Sequence, residues 1–241
     1  MLARFENAAA AMSEMRRYQE QVANNLANAD TTGYKKDRLF TEALNERLTK
    51  DGAPRTDRRL QQRNVLSGGS LKETGNPLDV ALGSDGFFVT QAEGGGAERY
   101  TRAGHFVVGS QGTLRTPGGR QVMGEGGPIQ IPVEEGGTVN ISEGGRITVD
   151  GTEIGSLRVA TFDNPEQLER ADGASFVAED AQPQPAEDPV VVQGKVETSN
   201  VDPVTELTNM IEIQRQFEAQ QKTIQTTDGV LGRATQSLGG M

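Results

Sequence analysis

His105, in "AGHFVV", is the single histidine of the 241-residue chain, and there is no cysteine. Any Ser-His-Asp triad therefore has one possible base, and cysteine-based zinc sites, thiol nucleophiles and disulfide frameworks drop out together. Its place at the head of an apolar run reads as a strand-edge or surface residue. The paired carboxylates Glu134-Glu135, Glu179-Asp180 and Glu187-Asp188 are adjacent in sequence. Neighbours along an extended chain face opposite ways, so none forms an acid/base couple and each reads as a solvated turn. The glycine-rich pieces "GEGGP" and "EGGGAE" are followed neither by Lys-Ser/Thr nor by a helix start, so they are not phosphate loops. Hairpin turns, where glycine enters positive φ without penalty, account for them. These residue types call for no cofactor and no metal, and they do not read as an enzyme.

The elements around them divide by glycine. Of 30 glycines, two fall in residues 1–64, four in 201–241, and the rest between. Few helices survive that density, because each interior glycine costs about 1 kcal/mol relative to alanine. The middle instead alternates short β-type runs, such as "LDVAL" (78–82), "GFFVTQ" (86–91), "HFVVG" (105–109), "PIQIPV" (128–133), "TVNIS" (138–142), "RITVD" (146–150) and "IGSLRVATF" (154–162), with glycine turns. Such spacing predicts an all-β module, sandwich-like or an irregular barrel.

Both ends read as helices. Phe5, Ala8, Met12, Met15, Gln19, Val22 and Leu26 recur at alternating spacings of three and four, which predicts a helix over about residues 3–28 with one narrow apolar seam. Near the C-terminus, Asp202 is an N-cap type and Pro203 suits the first helical position. Leu207, Met210, Gln214, Phe217, Gln221, Ile224, Asp228 and Leu231 repeat the spacing. The row Met210, Phe217, Ile224, Leu231 is apolar, while its companion turns polar at Gln214.

Stripes this thin are weak in isolation. They are completed either by an intramolecular antiparallel pairing or by a bundle built from several copies. The expected class is α+β: long N- and C-terminal helices packed as a coiled-coil-like domain beside a mainly β centre. The expected domains are 1–64 (helix and extended linker) packing with 194–241, and a glycine-rich β domain over 65–193. With 34% hydrophobic residues, 5% aromatic and no Trp, the core is lean, which suits an extended or assembled protein.

Net charge is −10 and unevenly spread. Residues 65–200 hold 20 acidic against 9 basic side chains, while 1–64 hold 9 against 12. An acidic middle disfavours nucleic acid and anionic membrane as partners. The basic "PRTDRRLQQR" (54–63) lacks interleaved aromatics and reads as a solvated linker. No stretch approaches a membrane span, and the N-terminal apolar run, Ala8 to Met12, is short for a cleaved signal peptide. Absence of cysteine leaves the redox compartment open, with an address outside the cytoplasm mildly favoured.

"VANNLANADTTGYKK" (22–36) resembles the N-terminal signature of bacterial flagellar axial proteins, an Asn-rich helix running into a Thr-Gly-aromatic turn and a basic residue. "VETSNVDPVTELTNMIEIQRQFEAQQKTIQTTD" resembles their C-terminal helix, and "NPLDVALGSDGFFVTQ", "YTRAGHF", "GTLRTPGGRQVMG" and "FDNP" are similar to their central module. The motifs occur in the family's order over most of the chain. "VMGEGGPIQIP" and the short span between Gly33 and Gly75 look closest to the proximal, F-type branch of the basal-body rod family, whereas "TELTNMIEIQRQ" fits the distal branch as well.

The resemblance implies a structural subunit of the flagellar rod, the torque-transmitting shaft that crosses the periplasm and encloses the export channel. It implies partnership with copies of itself, with other rod proteins and with the type III export apparatus, and export without a cleaved signal peptide. A distal rod or hook-type axial protein is the alternative. A secreted carbohydrate-active enzyme is the remote one, since it needs a carboxylate pair converging in a cleft.

In that setting the seam residues Phe5, Met12, Met15, Val22, Leu26, Leu207, Met210, Phe217, Ile224 and Leu231 are expected to pack between helices and subunits. Asn24, Asn25, Asn28, Thr31, Gly33 and Tyr34 form the registry and turn motif. Asparagine is a poor helix former, and two readings stand side by side: the amides specify subunit registry, or they fray the helix before the turn.

Overall fold

The computed structural model describes residues 2–48, 54–132 and 137–238. Its element order is a helix, two long strands, a run of short strands broken by a 3-10 turn at Pro165–Gln167, and a second helix. Helix α1 spans Leu2–Ala27, carried by the alanine run at its start, and α2 spans Pro203–Leu238. The start of α2 follows from its cap. Val204 N–H donates to Asp202 Oδ1 at 3.1 Å, and the Thr205 hydroxyl donates to Oδ2 at 2.6 Å. Pro203 occupies the first turn, where its missing N–H costs nothing.

The chain forms two compact units, one of Met1–Ala27, Thr41–Leu60 and Asp202–Met241, the other of Asn28–Phe40 and Gln61–Val201. In the first, α1 and α2 pack against each other. The expected coiled-coil-like domain is corrected here, although α+β remains a loose description of the chain. A coiled coil buries both rows of its seam, but Leu207 is 48% exposed, Gln214 and Gln221 are exposed, and Met210, Phe217 and Ile224 are only half-buried. On α1 Val22 is buried, whereas Met12, Met15 and Leu26 are half-buried. The physical reason lies in composition. One row of α2 turns polar after Leu207, so two helices alone cannot close a dry seam along 26 and 36 residues.

The second unit is mainly β. Its largest sheet runs, in spatial order, Glu169–Asp172, Ser175–Val177, Arg99–Thr101, Phe87–Gln91, Gln121–Gly124, Leu114–Arg115 and Val107–Val108, with Gly127–Pro128, Val159–Thr161 and Gln184–Pro185 attached at its sides. Strand Phe87–Gln91 pairs with Arg99–Thr101, Gln121–Gly124 and Val159–Thr161. It is covered on both faces. Phe88 joins Val80, Phe106, Leu114, Val122 and Ile147 in one core, while Phe87 and Val89 join Tyr100, Leu168 and Phe176 in another. Alternation along a strand sends successive side chains to opposite faces, so "FFV" serves two cores from three positions. Each such burial is worth about 1.5–3 kcal/mol.

A three-stranded antiparallel sheet, Val139–Ile141, Arg146–Val149 and Thr152–Ser156, adds Ile141, Ile147 and Val149 to the first core. The chain then returns toward α2 by pairing Val191–Gln193 with Val80–Leu82, and Lys195–Glu197 with Leu71–Glu73. "PIQIPV" makes little strand, only Gly127–Pro128 and a bridge at Gln130, yet Ile129 and Ile131 still reach the core. The basic stretch expected as a solvated linker is instead strand Pro54–Asn64, paired with Asp37–Leu48 in a two-stranded sheet.

Candidate assembly surface and buried anchor

In the helical unit, Val204 (71% exposed), Leu207 (48%) and Ile211 (52%) stand in water at spacings of three and four, on one face of α2. Single exposed apolar residues are ordinary, but a row of them marks a surface with a partner. Among the residues expected at seams, Phe5 and Leu231 lie outside those whose side chains are described. Asn24 is exposed, whereas Asn25, two residues before the end of α1, is fully withdrawn from water.

The rest of the turn motif belongs to the β unit and leads into it. Asn28 and Thr31 form a turn in which Thr31 N–H donates to Asn28 O at 3.1 Å and the Thr31 hydroxyl donates to Asn28 Oδ1 at 3.2 Å. Gly33 follows at φ +66°, and a Cβ there would lie 2.2 Å from Ala103 N. Only glycine permits both that dihedral and that approach. Its N–H donates to Glu197 O at 2.8 Å, and Tyr34 is 1% exposed.

Three residues beyond the expected set complete the anchor on one side. Arg170 lays its guanidinium 4.4 Å from the Tyr34 ring centroid and grips Asp37 with Nε and Nη2, at 2.9–3.2 Å. It also donates to Lys35 O and to Asn64 Oδ1. On the other side Asn200 accepts from Lys36 N–H at 2.7 Å and donates to Val65 O at 2.8 Å.

Beneath the turn Lys35 is buried and ion-paired to buried Glu197, with a further bond from its ammonium to Ser67 O at 2.9 Å. Arg102 Nη1 stands 3.6 Å from Glu197 Oε2 and donates to Ser84 O at 3.0 Å, its guanidinium lying over Phe87. Burial pushes the Lys35 ammonium below its ordinary pKa, opposed by the bond to Glu197. Desolvation likewise lowers Arg102.

Lys35, Arg102, Glu197, Arg170, Asp37 and Asn200 escaped sequence reasoning. Lys35 and Glu197 do sit inside the two terminal motifs, but nothing in one sequence pairs positions 162 apart.

Elsewhere His105 bridges to Asp79 at a strand edge, its Nδ1 2.6 Å from Asp79 Oδ1. Glu134-Glu135 lie outside the described residues. Asp163, Glu166, Glu169 and Asp180 line an open polar groove of about 960 Å³ with Gln62, Arg63 and Asn64. Among the described residues no group of His, Cys, Asp or Glu could hold a metal ion, and no helix is long and apolar enough to cross a membrane.

Three family descriptions match the chain: "Flagella basal body rod protein" over residues 5–35, "Flagellar hook protein FlgE/F/G D1 domain" over 81–149, and "Flagellar basal body rod FlgEFG protein C-terminal" over 192–237. The flagellar basal-body rod protein FlgF of Caulobacter vibrioides is 35% identical, with 93% of each chain covered. The chain belongs to the flagellar basal-body rod protein family. FlgF of Salmonella typhimurium is 37% identical with 95% of each chain covered, and the rod protein FlgG of Agrobacterium fabrum is 33% identical with 96% of this chain and 97% of its own covered. The F-type reading of this rod protein agrees with the first two. A rod subunit is a structural component of the basal body, not an enzyme, and it assembles with other flagellar rod proteins. The anchor joins the rod signature in 5–35 to the C-terminal rod segment that begins at 192, through side chains of both.

Proposed function

We propose that this subunit occupies the proximal rod and polymerises through its terminal helices, joining copies of itself and neighbouring rod proteins around the export channel. The segments 1–64 and 194–241 form the inner layer and 65–193 the outer. Delivery is by the flagellar type III export apparatus. The observation that carries this reading is the exposed apolar row Val204, Leu207 and Ile211 on α2. An acidic outer domain, which resists nonspecific association with anionic surfaces, supports the inside-out arrangement.

The test is a Leu207→Asp/Ile211→Asp variant expressed in cells lacking the wild-type subunit. Purified basal bodies should lack the variant while its β unit stays folded, and normal incorporation would defeat the reading. The match to a G-type rod protein supports a second reading, a distal position. Labelling the subunit in isolated basal bodies decides between them, since the two positions lie at different heights along the shaft.

A further inference from the structure

The charges buried beneath the signature turn do not cancel. Lys35 and Arg102 are both cations, and among the described residues Glu197 is the one anion withdrawn from water beside them, because Asp85 reaches Arg102 at 3.9 Å from full exposure. Each arrives on a different stretch of chain: Lys35 on the turn motif, Arg102 just after strand Arg99–Thr101, Glu197 on strand Lys195–Glu197. Glu197 meets the turn motif through one carboxylate oxygen and its backbone carbonyl, and faces Arg102 with the other oxygen. Its Oε1 receives the Lys35 ammonium and Gly69 N–H (2.8 Å), its backbone carbonyl receives Gly33 N–H (2.8 Å), and Oε2 faces Arg102. Oε2 and Arg102 Nε are both buried with no hydrogen-bond partner in the structure, so the group is held by charge rather than by a saturated network.

We infer that Glu197 is a shared counter-ion that makes seating of the N-terminal arm (residues 31–37) conditional on prior seating of the C-terminal arm (residues 195–200), and not the reverse. The asymmetry follows from counting charges. With the C-terminal arm displaced, two cations remain together in a low-dielectric site with no anion, and the mobile one, Lys35, must leave for water. With the N-terminal arm displaced, Glu197 and Arg102 still neutralise each other. The backbone carbonyls of Glu197 and Ser67 reinforce the order, since the turn binds to acceptors that the other segments already present.

Amide hydrogen exchange on the full-length, unassembled chain tests this with E197Q, K35M and the K35M/E197Q double variant. E197Q preserves shape, so a packing role predicts little change. The latch instead predicts loss of protection over residues 28–40 on the order of tenfold or more, with core peptides around Phe88 and Val122 unchanged. K35M should leave residues 195–201 protected. Adding K35M to E197Q should restore protection to 28–40, because it removes one of the two stranded cations. Wild-type exchange in E197Q overturns the inference, as does a K35M variant that opens 195–201, or a double variant worse than either single one. Should E197Q fail to fold, a folded double variant supports the latch and an unfolded one overturns it.

Discussion

Arg170 and Asp37 meet through Nε and Nη2 across 133 residues of sequence, and the same guanidinium lies over the Tyr34 ring and donates to Asn64 Oδ1. One planar group thus ties the signature turn, the first residue of strand Asp37–Leu48 and the end of strand Pro54–Asn64 to strand Glu169–Asp172. Arg170→Ala takes the guanidinium from buried Asp37, which keeps the bond from Gln62 Nε2 at 2.8 Å, and should destabilise the β unit by about 3 kcal/mol. Arg170→Lys should recover less than half of that, because an ammonium neither forks onto a carboxylate nor stacks on a ring as a guanidinium does. Urea unfolding of the three proteins measures both.

Gly33 is the second fixed point of the same turn. A methyl group there meets Ala103 N at 2.2 Å, in a dihedral region that alanine occupies at a cost. Gly33→Ala should lower stability by roughly 1–3 kcal/mol from backbone strain, with the steric clash added to it. Gly75→Ala is the control, having φ +71° and open space around it. It should show the strain without the clash, so equal melting shifts for the two variants would contradict the close approach.

Local patterns are legible in the sequence, and pairings at a distance are not. The Asp202 cap, Pro203, the three-four spacing of α1 and the glycine-bounded run "FFVTQ" are signals contained within a few residues, and each marks an element that forms. Strand Pro54–Asn64 escaped because its arginines and glutamines carry no alternating apolar face, and it forms by pairing with Asp37–Leu48. The coiled-coil expectation failed for a related reason: spacing reports which residues share a helix face, not whether anything covers it, and Leu207 sits on schedule yet stays in water. Of the anchor, Gly33 and Tyr34 were marked by motif. Arg170 and Glu197 were not, since a charged residue in a β-rich, acidic stretch looks the same whether it is solvated or buried beside a cation from the other end of the chain.

Tyr100 supplies a prediction in pH. Burial, helped by the neighbouring Glu98 carboxylate, pushes its phenol up from 10.0 to about 12. Below pH 10 the phenol is protonated in both folded and unfolded chains. Between 10 and 12 the unfolded chain loses this proton while the folded one keeps it, so the stability held below pH 10 is lost as pH rises through that window. Ultraviolet titration of the folded protein should show a phenolate step near pH 12 that is missing in Tyr100→Phe, and the stability gap between the two proteins should shrink from pH 10 upward. If the step that Tyr100→Phe removes lay at the ordinary tyrosine value, the burial argument would fail.

Asn25 and Asn28 part company in the structure, which sharpens the question of why a helix end carries so many amides. Asn28 lies beyond Ala27 and makes the turn with Thr31, as a helix-terminating residue should. Asn25 lies inside α1 with no exposed surface, where an amide deprived of its partners would cost about 1–3 kcal/mol. That penalty falls on every packing arrangement that fails to satisfy it, so we propose Asn25 as the carrier of the registry role, in the way a single polar residue selects the register of paired helices. On this reading Asn25→Ala leaves the melting of the β unit unchanged but lowers the yield of complete rods and slows swimming, while Asn28→Ala acts through the turn and lowers the melting point. Full motility in cells carrying Asn25→Ala would leave the buried amide with a purely local role in α1.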